Sequence, residues 1–345
     1  MKIIGTPSIY AVTFGEATSW WNLDLNRDAT RVTSVTGVAH VQSGFKWNAG
    51  DEDTNEWLPQ GLTGLQTTQP NQIYKFMVVS WYFHADSKGV RLSFVDTVDP
   101  RHYRHVLLVM PDITGKLKPL AGQHAGGIEI IGTRLYLADT SFGLREFDLE
   151  KIYAASNVSS FDAFDYRYIM PQVRSYDVSK DIDKGAGKVP RFSYLSRIWN
   201  DGTPQLLSGN FHVDGDAVFG NSPTRVCRWE VDQSLGSITQ IGTIIQLNCQ
   251  RVQGAVLRSK GGKEVLYLSR SYGTTHYKLY VVEVPADYNQ NERLGGFKEY
   301  DWCNYSEDMH LSQADNLWCH QEKSSRKVFY VDPDDYLPAK SAKVS

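Results

Sequence analysis

Residues 123–149 read QHAGGIEIIGTRLYLADTSFGLREFDL and contain three short apolar runs, IEII, RLYLA and REFDL. A Gly-Thr pair separates the first two runs, and the turn-forming segment TSFG lies between the second and the third. Short apolar runs bounded by turn residues are typical of β-strands. A single meander of this size cannot bury its own faces, so the fold depends on whether the pattern recurs.

The same meander recurs along the chain. Comparable units begin near Gln60, His124, Phe192, Val252 and Asp308, and the last unit lacks a fourth run. Repeated units of about four strands are typical of a β-propeller. A strand from the N-terminal region would complete the last unit and leave no free sheet edge. The sequence therefore predicts an all-β fold, a five-bladed β-propeller closed by an N-terminal strand, with six blades as the alternative.

The repeat also predicts a single domain over residues 1–345. Its blades are expected at residues 57–111, 123–178, 191–247, 251–303 and 307–332, with the closing strand within residues 8–42. A β-sandwich would not require such a repeat, so it is the less favoured architecture.

The composition limits the classes of function. The chain is 41% hydrophobic and 22% charged, which is the balance of an ordinary soluble globular protein. Its formal charge of −3 provides no basic surface and argues against a nucleic-acid partner. No apolar stretch is long enough to span a bilayer. The 19 Tyr, 14 Phe and 9 Trp residues suit a β-rich fold and a pocket for flat or apolar ligands.

Cysteines and glycosylation motifs favour a secreted protein. The N-terminus lacks a signal-peptide pattern, which suits either a cytosolic protein or a mature secreted chain. Two Asn-x-Ser motifs, at Asn157 and Asn304, predict glycosylation in the secretory pathway or outside the cell. Disulfides are expected between Cys227 and Cys249 and between Cys303 and Cys319, one of three possible connectivities.

A propeller brings the starts of its first strands together around a central channel. The loops between the second and third strands emerge on the same face, so residues distant in sequence converge there. At the starts of the first strands we expect Gln60, His124, Arg191, Gln253 and Asp308, with His310 nearby. On the loop side we expect Trp81, Phe142, Phe211, Arg270 and Tyr272. Polar groups under aromatic walls are typical of a small-molecule site.

Several chemistries have no motif in this sequence. It contains no Gly-x-Ser-x-Gly elbow, no GxGxxG dinucleotide motif and no P-loop. The cysteines lack the CxxC spacing of a structural zinc site. Gln, His and Arg at the strand starts are poor calcium ligands. We therefore expect no metal and no other cofactor.

The block HAGGIEIIGTRLYLADTSFGLREFDL, with QGL at 60–62 and QGA at 253–255, resembles secreted β-propeller proteins of fungi and actinomycetes. Some fungal members are hetero-Diels–Alderases of tropolonic sesquiterpenoid biosynthesis. The resemblance covers about Trp57 to Val331. It implies an enzyme of secondary metabolism that joins a tropolone o-quinone methide to a humulene-type sesquiterpene, without a metal or a covalent intermediate.

Catalysis of that kind would rest on orientation and on hydrogen bonds to the tropolone oxygens. From their placement, we assign hydrogen-bond donation to Gln60, Arg191, Gln253 and Arg270, and proton delivery to His124. The substrate walls are assigned to Trp81, Phe142, Phe211 and Tyr272, with Asp308 and His310 also in contact. The alternatives are a carbohydrate-binding propeller without catalysis, a metal-dependent lactonase or glycosidase-like hydrolase, and a protein-interaction scaffold. The sequence leaves the oligomeric state open.

Overall fold

The computed structural model describes residues 1–69, 72–85, 87–98, 102–158, 161, 163–179, 191–213, 223–272 and 276–344. The described chain consists mainly of β-strands, which confirms the predicted all-β class. Within these ranges, every helix is too short or too polar to cross a bilayer.

Short strands at the N-terminus are followed by longer meanders. The elements are β1 (Lys2–Ile4), β2 (Thr6–Pro7), β3 (Ala17–Thr18), a 3-10 helix (Trp20–Asn22), β4 (Thr30–Val32), β5 (Val41–Lys46), α1 (Ala49–Glu52), β6 (Trp57–Gln69), β7 (Gln72–Phe83), β8 (Val90–Asp96), β9 (Tyr103–Pro111), β10 (Leu117–Pro119), β11 (Ile128–Ile131), β12 (Arg134–Asp139), β13 (Gly143–Asp148), β14 (Ile152–Ala154), a 3-10 helix (Ala155–Asn157), β15 (Tyr168–Asp177), β16 (Tyr194–Ile198), β17 (Gln205–Gly209), β18 (Thr224–Asp232), β19 (Ser237–Leu247), β20 (Val252–Lys260), β21 (Lys263–Tyr272), β22 (His276–Val284), β23 (Arg293–Gly295), β24 (Lys298–Asp301), β25 (Ser306–Leu311), β26 (Leu317–Gln321), β27 (Val328–Val331), a 3-10 helix (Pro333–Asp335) and β28 (Ala342–Val344).

Within the described residues, the main strands form five antiparallel groups of four. Group 1 contains β6 to β9, and group 2 contains β11, β12, β13 and β15. Group 3 contains β16 to β19, and group 4 contains β20, β21, β22 and β24. Group 5 contains β25, β26 and β27 and is completed by β5. Groups 1 and 2 are also joined at their outer strands, because β15 runs parallel to β9.

The first strands of the groups contact one another in a closed ring. A Cβ atom on Gly61 of β6 would lie 2.8 Å from the backbone nitrogen of Ile128 in β11. A Cβ atom on Gly254 of β20 would lie 2.8 Å from the Cα of Asp308 in β25. The Leu62 N–H of β6 donates to Asp308 Oδ2 at 3.3 Å and joins group 5 to group 1. Glycine is required at these points because the backbones of neighbouring strands leave no space for a side chain.

The remaining two joints of the ring are equally close. Between groups 2 and 3, a Cβ atom on Gly126 would lie 2.2 Å from the carbonyl oxygen of Ser193. Between groups 3 and 4, the Ser196 hydroxyl donates to the Ala255 carbonyl at 2.6 Å. Every group is therefore connected to both of its neighbours at the axis.

The strand that completes group 5 lies later in the chain than predicted. It was expected within residues 8–42, but β5 occupies Val41–Lys46 and pairs with β27 in the register Val328↔Phe45. The preceding residues form a turn with a bridge between Val35 and Val38. A Cβ atom on Gly44 would lie 2.1 Å from the Val328 carbonyl oxygen, so this glycine allows β5 to approach the group.

The apolar core is divided among the contacts between neighbouring groups. One cluster joins groups 1 and 2 and includes Phe94 and Phe147. Another joins groups 2 and 3 and includes Tyr136 and Trp229. Further clusters lie between groups 3 and 4, between groups 4 and 5, and between groups 5 and 1. Each group thus buries its faces against its neighbours, as the repeat requires.

The four cysteines are free thiols in this structure, so the two predicted disulfides are not formed. Cys227 and Cys249 pack in different parts of the core. Cys227 packs into the cluster between groups 2 and 3, whereas Cys249 packs against the cluster between groups 3 and 4. The Cys303 and Cys319 thiols do lie next to each other, and burial followed by the Cys319 thiol raises the pKa of Cys303.

The glycosylation sites and the secreted location stay predictions. Asn304 is exposed, and its carbonyl oxygen accepts a hydrogen bond from the Gln321 side chain. The side chain of Asn157 lies outside the described residues.

Candidate functional site

The starts of the first strands, where the sequence places the site, are tightly packed around polar side chains. The Gln60 amide donates to Glu322 Oε1 at 3.0 Å, and the Gln253 amide donates to Glu307 Oε1 at 3.1 Å. Gln60, Glu307 and Asp308 are buried. These contacts join neighbouring groups, and burial encloses the side chains of Gln60 and Asp308 in this structure.

The carboxyl groups at this end are enclosed by protein. Burial raises the pKa of Asp308 well above its usual value, and the backbone N–H of Leu62 opposes this rise. Burial, and then the charge of Glu322, raises the pKa of Glu307. Asp308 Oδ1 accepts no hydrogen bond from the described residues. Both groups therefore favour the neutral form, in which a carboxyl can donate one hydrogen bond.

The other predicted residues at this end do not form one constellation. His124 is exposed and stacks on Tyr82, with ring centroids 4.6 Å apart. Phe142 lies under the Arg145 guanidinium at 4.7 Å. Arg270 donates to the Gln250 carbonyl and to the Tyr280 hydroxyl, at 2.9 and 3.0 Å. Arg191 and Phe211 are half-buried.

Two of the predicted wall residues cannot be assigned to the site. Trp81 is fully buried in the core between groups 5 and 1, and its indole N–H donates to Ser93 Oγ at 2.8 Å. The prediction for Trp81 is wrong because this side chain faces the neighbouring group rather than the axis. The side chain of Tyr272 lies outside the described residues, as do residues 180–190, 214–222 and 273–275. The remaining assignments at this end stay predictions.

A cleft of about 430 Å³ opens at the opposite end of the ring, where the first strands of four groups finish. Its lining residues are Gly64, Leu65, Gln66, Lys75, Phe76, Met77, Thr97, Ile130, Gly132, Arg197, Trp199, His310, Ser312, Gln313, Ala314, Asn316 and Trp318. Concave sites with apolar walls and a few converging polar groups are the usual sites for small molecules.

His310 lies at the floor of this cleft and is held by Glu129. The distance from His310 Nδ1 to Glu129 Oε2 is 3.2 Å, and both side chains are buried. Because an ionised carboxylate only accepts, this contact places the His310 proton on Nδ1 and leaves Nε2 as an acceptor. His310 lines the cleft, and its Nε2 lies close to Gly64, another lining residue: a Cβ atom on Gly64 would lie 3.1 Å from Nε2.

Glu129 is fixed by hydrogen bonds from three strands. The Thr63 hydroxyl of β6 and the Ile130 N–H of β11 donate to Oε1 at 2.7 and 2.9 Å. The Arg197 N–H of β16 donates to Oε2 at 2.9 Å. These donors hold the Glu129 carboxylate in one orientation. Glu129 therefore holds the His310 ring in place and stabilises an imidazolium if His310 gains a proton.

Arg197 provides a cation beside this pair. Its guanidinium lies 4.0 Å from the Trp199 ring centroid, and its Nε has no hydrogen-bond partner among the described residues. Burial lowers the pKa of Arg197, and the charge of Glu129 opposes this change. The Trp199 indole N–H donates to the Leu311 carbonyl at 2.5 Å and is thereby oriented. Arg197 lines the cleft, and a guanidinium there is suited to an anionic or carbonyl oxygen of a ligand.

A second cavity of about 230 Å³ continues the cleft past Trp318. Thr97, Asn316 and Trp318 line both cavities, and Arg31 lies at the far side of the second. The pair of cavities therefore accommodates either an elongated molecule or two molecules side by side.

Sequence reasoning found one member of this cleft and missed the others. His310 was predicted to contact a substrate, and it does line the cleft. Glu129, Arg197 and Trp199 were not predicted. The available signal was Glu129 itself, a charged residue inside the apolar run IEII.

A buried Ser–His–Asp arrangement lies elsewhere, between group 1 and helix α1. His105 contacts Ser93 Oγ through Nδ1 at 2.8 Å and Asp51 Oδ2 through Nε2 at 3.0 Å. Burial, and then the charge of Arg91, lowers the pKa of His105 to about 3. Ser93 is fully buried and also bonds to Trp81, so it is closed to a substrate. The arrangement is structural, and we call it the Asp51 network.

We expect His320 to make the protein sensitive to acid. Its Nε2 contacts the Gln60 carbonyl at 2.6 Å, and burial lowers the pKa of His320 to about 4. In the unfolded chain the His320 imidazole binds a proton at about pH 6.5, whereas in the folded chain it does so only near pH 4. The contribution of the neutral imidazole to the free energy of unfolding is therefore complete above about pH 6.5 and is lost as the pH falls towards 4. His320→Gln should reduce the slope of the free energy of unfolding against pH by about 1 kcal/mol per pH unit between pH 7 and 5, as measured by urea unfolding.

The matched control for this measurement is His102→Gln, which removes an imidazole from the surface. In this variant the free energy of unfolding should change with pH as it does in the wild-type protein. An equal slope in the wild type and in His320→Gln would contradict the prediction.

No family model matches the chain, and no curated protein sequence matches it significantly. One similar solved structure is an exo-β-1,3-galactanase from Phanerochaete chrysosporium with β-1,3-galactotriose, at TM-score 0.43 and 13% identity over 90% of this chain. The match covers 66% of the galactanase chain, so the present chain spans about two thirds of that protein.

Two further similar structures are more distant. A calcium structure of a family AA12 carbohydrate-active enzyme from Trichoderma reesei has TM-score 0.40 and 8% identity, over 96% of this chain and 97% of that one. The PQQ-bound aldose sugar dehydrogenase from Streptomyces coelicolor has TM-score 0.36 and 9% identity, over 88% and 99%. Similarity at this level carries no argument about function.

Proposed function

We propose that the chain is a five-bladed β-propeller enzyme that transforms small conjugated molecules in the cleft by acid–base chemistry. One observation carries the proposal: the buried Glu129–His310 pair places an imidazole in the lining of an open cleft. A histidine oriented by a carboxylate transfers protons effectively near neutral pH.

In the proposed reaction, His310 Nε2 takes a proton from an acidic hydroxyl or carbon of the substrate. The imidazolium that forms is stabilised by Glu129 and returns the proton to a leaving or accepting oxygen. The Arg197 guanidinium binds the oxygen on which negative charge develops, in a partly buried site where such contacts are strong. No covalent intermediate is needed.

The walls of the cleft favour flat, apolar substrates. Trp199, Phe76 and Met77 line one cavity, and Trp318 stands where the two cavities meet. Aromatic and thioether side chains pack well against conjugated rings and hydrocarbon. The substrate class is therefore a conjugated molecule with an ionisable oxygen, together with an apolar partner.

The finer proposal is the hetero-Diels–Alder reaction that the sequence resemblance implies. His310 removes the hydroxyl proton of a hydroxymethyl tropolone and transfers it to the leaving hydroxyl, so the C–O bond breaks and water departs. The resulting o-quinone methide lies in the larger cavity and a humulene-type alkene in the smaller one. The cycloaddition then forms one C–C and one C–O bond, and no oxidant or reductant is consumed. Orientation of the two reactants supplies several kcal/mol of the rate enhancement.

The test is product formation from a hydroxymethyl tropolone and humulene, followed by chromatography and mass spectrometry. We expect His310→Gln to lower the rate by about 100-fold or more, because proton transfer by a positioned group contributes this much. The exposed His102→Gln variant is the matched control and should retain the wild-type rate. Thermal unfolding of both variants checks that they are folded.

His124→Gln distinguishes the two ends of the ring. Loss of product in His124→Gln, with full activity in His310→Gln, would move the site to the starts of the first strands and refute the cleft. Absence of product with the wild-type protein would refute the cycloaddition.

A further inference from the structure

A third cavity, separate from the cleft, lies between group 1, the N-terminal segment and the residues before β15. It has a volume of about 290 Å³. Its lining residues are Asn26, Arg27, Trp57, Lys88, Arg91, Arg104, His105, Phe164, Asp165, Tyr166 and Arg167. Four arginines and one lysine therefore face one small cavity.

The described residues of this cavity carry more positive than negative charges. Asp51 forms ion pairs with Arg27 and Arg91, at 3.3 and 2.7 Å. Asp24 forms ion pairs with both Arg104 and Arg167. Among the lining residues, Asp165 is the carboxylate, and it is exposed.

Among the described residues in and around the cavity, three carboxylates thus face five cations, and the excess of these described charges is positive. Burial lowers the pKa of Arg104, and the neighbouring charges of Arg167 and Arg27 contribute to this lowering. His105 adds no positive charge at neutral pH, because burial lowers its pKa to about 3. The cavity is therefore electrostatically suited to an anion.

Arg91 supplies the second observation. Its side chain is buried, with 6% exposure, and its guanidinium lies between the rings of Trp57 and Trp81, at 4.5 and 4.8 Å. One terminal nitrogen donates to Asp51 at 2.7 Å, and the other donates to the Tyr166 hydroxyl at 3.3 Å. Arg91 Nε has no hydrogen-bond partner among the described residues.

A buried charged donor without an acceptor is costly, and native proteins seldom leave one. The surrounding guanidiniums come from β8, β9, the N-terminal segment and the residues before β15, so they approach from several directions. An anion with oxygens in several directions satisfies this arrangement better than a planar carboxylate.

We propose that this cavity binds a tetrahedral oxyanion, phosphate or sulfate, either free or as the anionic group of a small ester. Arg91 Nε and the guanidiniums of Arg27, Arg104 and Arg167 donate hydrogen bonds to its oxygens. The site is independent of the cleft and of the function proposed for it.

The test is isothermal titration of the full chain with inorganic phosphate and, in a second arm, with sulfate. Sodium chloride keeps the ionic strength constant. We expect saturable binding of at least one of the two anions below about 10 mM. Arg167→Ala should weaken this binding at least tenfold, because it removes one of the exposed donors.

A variant that is expected to tighten anion binding provides a second test. Asp24→Asn releases Arg104 and Arg167 from their carboxylate, so it should tighten anion binding several-fold. The matched control is Arg228→Ala in group 3, whose guanidinium is paired with Glu264, and this variant should bind as the wild type does. Circular dichroism confirms the fold of each variant.

The proposal is overturned if neither anion binds, or if Arg167→Ala binds as tightly as the wild type. It is also overturned if Arg228→Ala weakens binding as much as Arg167→Ala, since the effect would then be a response to overall charge. Tighter binding in Asp24→Asn together with weaker binding in Arg167→Ala supports it.

Discussion

Replacement of Glu129 with glutamine is expected to lower turnover by about 10²–10⁴-fold. Glutamine has the same size but brings an N–H₂ group to a place where Glu129 accepts four hydrogen bonds. His310 then loses both the acceptor that holds its Nδ1 proton and the charge that stabilises the imidazolium. Because Glu129 itself does not line the cleft, it is a positioning residue, and the loss should appear in kcat rather than in KM.

An NMR measurement tests this role without a substrate. The wild-type protein should show the His310 Nδ1–H tautomer, and Glu129→Gln should shift the ring to the other tautomer. Glu264→Gln, in a surface ion pair with Arg228, is the control and should change neither kcat nor the His310 signal. Wild-type kcat in a folded Glu129→Gln protein would show that the pair is structural.

The second large effect concerns stability. We expect Asp51→Ala to lower the free energy of unfolding by about 3–5 kcal/mol, the usual cost of removing one partner from a buried ion pair. Asp51 is 3% exposed and accepts hydrogen bonds from Arg91, His105 and Tyr103 at 2.7, 3.0 and 2.5 Å. Its loss leaves the Arg91 charge buried without a carboxylate.

Urea unfolding followed by tryptophan fluorescence measures this effect. Asp301→Ala is the matched control, because Asp301 pairs with Lys278 at the surface, and its unfolding midpoint should stay close to that of the wild type. Equal midpoints for Asp51→Ala and the wild type would show that the Asp51 network contributes nothing to stability.

The strand pattern could be predicted because each strand carries its own local signal. Runs such as IEII and RLYLA became β11 and β12, and the pairing Ile130↔Leu135 follows from the two-residue turn between them. Gly126 lies just before β11, and its lack of a side chain permits the close approach to Ser193 at the axis.

The candidate site was predicted only in part. His310 was selected because it lies near the start of a first strand, yet its side chain lines the cleft at the other end. Trp81 has the composition of a binding-site wall, but it packs into the core between two groups. Sequence alternation distinguishes the two faces of a strand, but it does not reveal which neighbour covers each face.

The amino-acid sequence by itself determined the all-β class, the recurring four-strand unit and the need for an N-terminal strand, because alternation and turn residues are local properties. The tertiary structure alone decided that Glu129, Arg197 and His310 meet, since they lie on three different first strands. It also decided which polar side chains are enclosed and which face a cavity. Those outcomes depend on how five separate groups pack around one axis. No local sequence pattern specifies the distances between residues of different groups.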